Sequence, residues 1–165
     1  MQQFKRVVEN EITEISRLAT TTRGLLKETV HIPAPVQYRV VMRRIAELAD
    51  RWTDHLEFHS RVSPTVLAFD PRLSPALHNL DCEGYEIQRQ LKILATADWP
   101  RSAHAGLISV RPRILVILDS LLHHLRDERE TILPLLRFWT PAKAVVATAL
   151  PNPIRVQLME SPLTT

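Results

Sequence analysis

The chain has 165 residues, 45% of them hydrophobic and 24% charged, with a formal net charge of +3, which is enough apolar material for one domain with a core. Lys and Arg are interspersed with Asp and Glu and form no basic block, so nucleic-acid binding has no electrostatic footprint, and no uncharged apolar run approaches the roughly 20 residues of a membrane helix. The single cysteine, Cys82, excludes an intramolecular disulfide, and the charged start of the chain (Lys5, Arg6, Glu9, Glu11) precedes no apolar signal-peptide segment, so the expected location is the cytoplasm.

Helix 1 is predicted over residues 3–29. Val8, Ile12, Ile15, Ala19, Thr22 and Leu26 follow a 4-3-4-3-4 spacing, which places one face of a 3.6-residue helix against a core. Pro33 and Pro35 break the chain. Helix 2 is predicted over residues 36–69, with the stripe Ile45, Leu48, Trp52, His55, His59 and Val62 and a disturbance at Pro64. Asp70 to Leu73 reads as a turn. Ser74-Pro75 reads as an N-cap followed by a first helical residue.

Helix 3 is predicted over residues 75–97. Its stripe is Leu77, Leu80, Gly84, Ile87, Leu91 and Leu94, and the glycine leaves a hole where a side chain would point inward. A loop holding His104 is expected to end near Gly106. Helix 4 is predicted over residues 109–136, with Pro112 in its first turn. Its stripe, Ile114, Ile117 and Leu121, continues by the same alternation to His124 and then Glu128. Residues 138–165 hold four prolines and are expected to be extended or partly disordered. The fold class is therefore all-α: an up-down-up-down antiparallel four-helix bundle over residues 1–137.

The core stripes of helices 2 and 4 deliver polar groups where apolar ones belong. His55 and His59 lie one turn apart on one face, and so do His124 and Glu128. A buried carboxylate needs a cation, a metal or strong hydrogen bonds to stay ionised. Imidazoles and a carboxylate from facing helices suit iron, zinc or manganese. The alternative is a metal-free polar cluster in which Glu128 pairs with a histidinium or an arginine. His123 lies one residue off the stripe and reads as a rim or supporting residue. His31 and His104 read as loop residues, His78 as exposed, and Cys82 as a small packing residue.

Helices 2 and 4 also repeat one another. Arg44-Ile45, Leu48, Asp50, His55-Leu56 and His59 align with Arg113-Ile114, Ile117, Asp119, His124-Leu125 and Glu128, each set followed by a proline. Helices 1 and 3 align more loosely, Leu18, Thr22 and Leu25 with Leu80, Gly84 and Ile87. His124 to Glu128 with Ile132-Leu133-Pro134, and His55 to His59 with Val62-Ser63-Pro64, resemble the two motif copies of the hemerythrin-like, or HHE cation-binding, domain family. The resemblance covers roughly residues 10–137. It implies iron in the bundle and the binding or sensing of a small diatomic ligand such as dioxygen or nitric oxide.

The family pattern also expects a histidine on each of helices 1 and 3, where this chain has Thr22 and Gly84. The resemblance then implies a site reduced to His55, His59, His124 and Glu128, with water or Thr22 completing it and with room for a small ligand at Gly84. Three readings follow: an altered metal site, a metal-free scaffold working as a regulatory or protein-interaction domain, and an enzyme of oxidative chemistry. The last is disfavoured, because no separate acid–base pair or substrate pocket is evident.

Overall fold

The computed structural model describes residues 2–27, 34–96 and 103–134, and all of their regular structure is helical. Helix α1 spans Gln2–Lys27, α2 Ala34–Phe69, α3 Ser74–Thr96 and α4 Ala103–Thr131, with a 3-10 turn at Pro71–Leu73. The four pack as a bundle in which α1 and α3 each lie between α2 and α4. Contacts across neighbouring helices run in opposite senses. On α1 and α2, Gln37 Nε2 donates to the Leu25 carbonyl (3.0 Å) and Arg44 Nη1 to Thr21 Oγ1 (2.7 Å). On α2 and α3, Gln88 Nε2 donates to Thr53 Oγ1 at 3.1 Å, while His59 Nδ1 stands 4.0 Å from Asp81 Oδ1. On α3 and α4, Arg113 Nη2 donates to Gln90 Oε1 at 2.7 Å, and His124 Nδ1 stands 3.7 Å from Glu83 Oε2. Adjacent helices are therefore antiparallel.

The stripes form the core. Ile12, Leu26, Ile45, Leu48, Trp52, Leu91, Leu94, Ile114 and Leu121 are fully buried. Burying a side chain of this size contributes roughly 1.5–3 kcal/mol. The charged residues between stripes face solvent, where pairs such as Arg89 with Glu86 (2.7 Å) join adjacent turns.

The boundaries correct several expectations. Helix α4 begins at Ala103, so His104 and Gly106 lie in its first turns and Pro112 lies well inside it. Pro112 withholds one amide from the ladder, a local cost that the packed stripe on either side outweighs. The helical assignment ends at Thr131, followed by a turn over residues 132–134. Helix α2 ends at Phe69 as expected, with Pro64 inside it. Ser74 is helical (φ −52°, ψ −46°) and is not an N-cap. Instead, Asp70 caps the 3-10 turn, its carboxylate accepting from the Arg72 amide at 3.1 Å. Cys82 is exposed and contributes nothing to core packing. The segment expected over 138–165 and the loop position of His31 lie outside the described residues. Among the described residues, no helix is long and apolar enough to cross a membrane.

Candidate metal centre

Helices α2 and α4 face one another across the bundle diagonal, and the polar members of their stripes meet there. His55, His59, His124 and Glu128 are each at most 4% exposed. The 3-4 alternation forces this, because leaving the core would require breaking the apolar stripe on either side. Glu128 sits between two imidazoles. Its Oε2 lies 2.9 Å from His55 Nε2 in a hydrogen bond, and its Oε1 lies 2.7 Å from His59 Nε2. The second contact lacks hydrogen-bond alignment, and Oε1 has no hydrogen-bond partner among the described residues. Both carboxylate oxygens are thus engaged by imidazole nitrogens of α2, which gathers the three side chains at one point in the core.

His55, His59 and Glu128 form a three-donor group whose ligating atoms all lie within 4.8 Å of one another. Donors bound to one ion at about 2.1 Å stand about 3–4 Å apart, so on taking up an ion the 2.7 and 2.9 Å contacts would open and the widest separation, at most 4.8 Å, would close by up to about 1 Å. The donor chemistry, two imidazoles and a carboxylate, is that of open non-haem iron sites and of zinc sites.

His124 lies beside this group but outside it. Its ring centroid is 6.5 Å from that of His59 and 5.1 Å from that of Trp52, which it meets edge-on. Neither of its nitrogens has a hydrogen-bond partner among the described residues. Burial pushes its pKa down to about 4, outweighing the pull of Glu128, so His124 is neutral near pH 7. For His55 the attraction of Glu128 and Glu11 overcomes desolvation and holds the imidazolium well above its ordinary range. Burial acts against ionised Glu128 as well, but the two facing imidazoles hold its pKa below the usual carboxylate range. Without a metal, the cluster is thus an imidazolium–carboxylate pair in the core.

The two positions expected to frame the site behave differently. Gly84 does lie against it: a Cβ there would stand 3.4 Å from His124 Cε1. It leaves no hole, however, because the same Cβ would meet Leu56 Cδ2 at 2.6 Å. The Gly84 carbonyl accepts a hydrogen bond from Trp52 Nε1 at 2.9 Å, so the missing side chain lets α2 approach α3 closely. Trp52 in turn stacks on His55, with centroids 4.9 Å apart.

Thr22 does not reach the site. It is buried, but its hydroxyl donates to the Leu18 carbonyl at 2.7 Å. In an antiparallel pair, residues equally far from the connection lie opposite each other. The α1 residue across from His55 is therefore Glu11, whose Oε1 stands 3.6 Å from His55 Nδ1. Thr22 lies about 16 Å further along the helix, eleven residues at 1.5 Å each.

Space for a small molecule occurs elsewhere. A cavity of about 10 Å³, room for roughly one water, opens onto His59 and Glu128 between Val62, Val66, Leu77 and Ile132.

Sequence reasoning missed Glu11, Asp81 and Glu83, which supply a carboxylate facing the Nδ1 of His55, His59 and His124 respectively. The signal was present for Glu11, an acid flanking the Ile12 stripe at the height of His55. His123 is a rim residue, 64% exposed and paired with Asp127 at 3.0 Å. Comparison with protein families, with curated proteins and with solved structures finds no match to this chain.

Proposed function

We propose that this chain is a hemerythrin-like metal-binding protein with a reduced donor set. In this reading, His55, His59 and Glu128 hold one metal ion, iron before zinc or manganese. One observation carries it: two imidazoles and a carboxylate from α2 and α4, all buried, bring their ligating atoms within 4.8 Å of one another. The ion would supply Lewis acidity and, as iron, redox capacity and affinity for dioxygen or nitric oxide. The chain's own residues do the rest. Glu128 brings the negative charge, the two imidazoles bring neutral donors, and Trp52 fixes the plane of His55. The cavity beside His59 and Glu128 has room for roughly one water, so a larger substrate does not fit and the side chains that close it must move to admit a diatomic molecule. Binding or sensing such a molecule is the function we assign, and not turnover of a larger substrate.

A second reading has its own support. The 2.9 Å hydrogen bond from His55 to Glu128 already satisfies one carboxylate oxygen without a metal. The bundle would then be a metal-free scaffold for a protein partner. Elemental analysis of tag-free protein from iron-supplemented medium separates the two. About one iron per chain is expected, as is its loss in Glu128→Ala. Metal-free parent protein would favour the scaffold. Unchanged metal content in Glu128→Ala and in the His55→Ala/His124→Ala double variant would place the ligands elsewhere.

A further inference from the structure

We propose that Glu11 is a positioning residue for His55, accepting the Nδ1 proton so that the Nε2 lone pair turns into the metal site. This rests on the metal reading above. When a cation takes the Nε2 lone pair, the imidazole proton must sit on Nδ1, and a buried N–H needs an acceptor. His55 Nδ1 is buried and has no hydrogen-bond partner among the described residues, and the same is true of Glu11 Oε2. The two groups face each other, with Glu11 Oε1 3.6 Å from Nδ1, about 0.7 Å beyond a hydrogen bond. A small rotation of the carboxylate closes that gap.

Charge points the same way. Two neutral imidazoles and Glu128 alone would leave a divalent cation with an uncompensated positive charge in the core. Glu11, whose side chain is only 16% exposed, brings the second negative charge. It also gives α1 a part in the site, which Thr22 does not.

Asp81 and Glu83 stand in the same relation to His59 and His124, but at 36% and 56% exposure, where water competes for the imidazole proton. Their contributions rank below that of Glu11.

The test is a titration of full-length protein with cobalt(II) and zinc(II). It follows affinity and the visible cobalt spectrum in the parent, Glu11→Gln, Glu11→Ala and Glu83→Ala. Glu11→Ala should weaken cobalt binding about 10–100-fold and shift the ligand-field bands. Glu11→Gln should fall between it and the parent, since the amide oxygen still accepts from Nδ1 but carries no charge. Glu83→Ala should match the parent. If Glu11→Ala does not fold, Glu11→Gln decides alone. A parent that binds cobalt, with both Glu11 variants within about twofold of it and spectrally unchanged, overturns the role of Glu11 and leaves the metal site standing. A parent that binds neither metal overturns both.

Discussion

Replacing Glu128 by Gln in metal-free protein tests the electrostatics of the core directly. The substitution keeps the shape of the side chain and removes its charge. His55, fully buried 2.9 Å away, then loses the nearer of the two carboxylates that hold its proton and keeps only Glu11 at 3.6 Å. Removing one partner of a buried pair costs about 3–5 kcal/mol. The low end applies here, because His55 can discharge by losing its proton. A loss of about 3 kcal/mol corresponds to a melting temperature lower by about 6–12 °C in a chain of this size.

The pH dependence carries the sign. The folded state raises the pKa of His55, so that contribution is whole below the unfolded value of about 6.5 and fades as pH rises through the raised folded value. The folded state lowers the pKa of Glu128, so its contribution is whole above about 4.5 and fades as pH falls. The parent should therefore exceed Glu128→Gln by most between about pH 4.5 and 6.5, with the gap closing toward pH 10. Urea denaturation in the presence of a chelator, at half-unit pH steps, measures this. A gap below about 1 kcal/mol, or one that is flat from pH 6 to 9.5, would refute the imidazolium–carboxylate pair.

Three further variants test the packing around the site. Gly84→Ala gains about 1 kcal/mol of helix propensity, but its methyl must displace Leu56 Cδ2 from 2.6 Å, and overpacking costs about 1–3 kcal/mol. A net loss in urea denaturation is expected, and a gain would mean that Leu56 yields freely. Gly84→His should lose more and add no ligand, contrary to what the family pattern alone suggests. Trp52→Phe removes the 2.9 Å hydrogen bond to the Gly84 carbonyl and part of a fully buried ring. It should cost about 2–4 kcal/mol in the same assay and, where cobalt binds, alter the cobalt spectrum through His55.

The bundle and its polar layer were legible because one rule governs both. A 3-4 alternation that passes through Leu121 must place His124 and Glu128 inward, and Trp52 carries His55 and His59 inward in the same way. Height along the bundle was harder to read. The alignment that matched Thr22 to Gly84 ignores the connection between α1 and α2, which sets Glu11 opposite His55. Glu11 entered only as one of the charges at the start of the chain, and no local pattern links an acid one residue from a stripe to a partner on another helix. The start of α4 was misread because His104 and Gly106 suggest a loop, and the helix tolerates them at modest cost. The closed space at Gly84 depends on Leu56, a residue on another helix that no local pattern links to it.

The diagonal placement of the donors makes the cluster a gauge of register. His55 and Glu128 are 73 residues apart in sequence and sit on helices joined only through α3. Sliding α4 past α2 by a single residue would move Glu128 about 1.5 Å and break both imidazole contacts at once. The polar layer therefore forms only when α3 has packed between the two and the last helix has docked at its proper height. A misregistered bundle strands a carboxylate in hydrocarbon, and that penalty selects one alignment among several that the apolar stripes alone would accept.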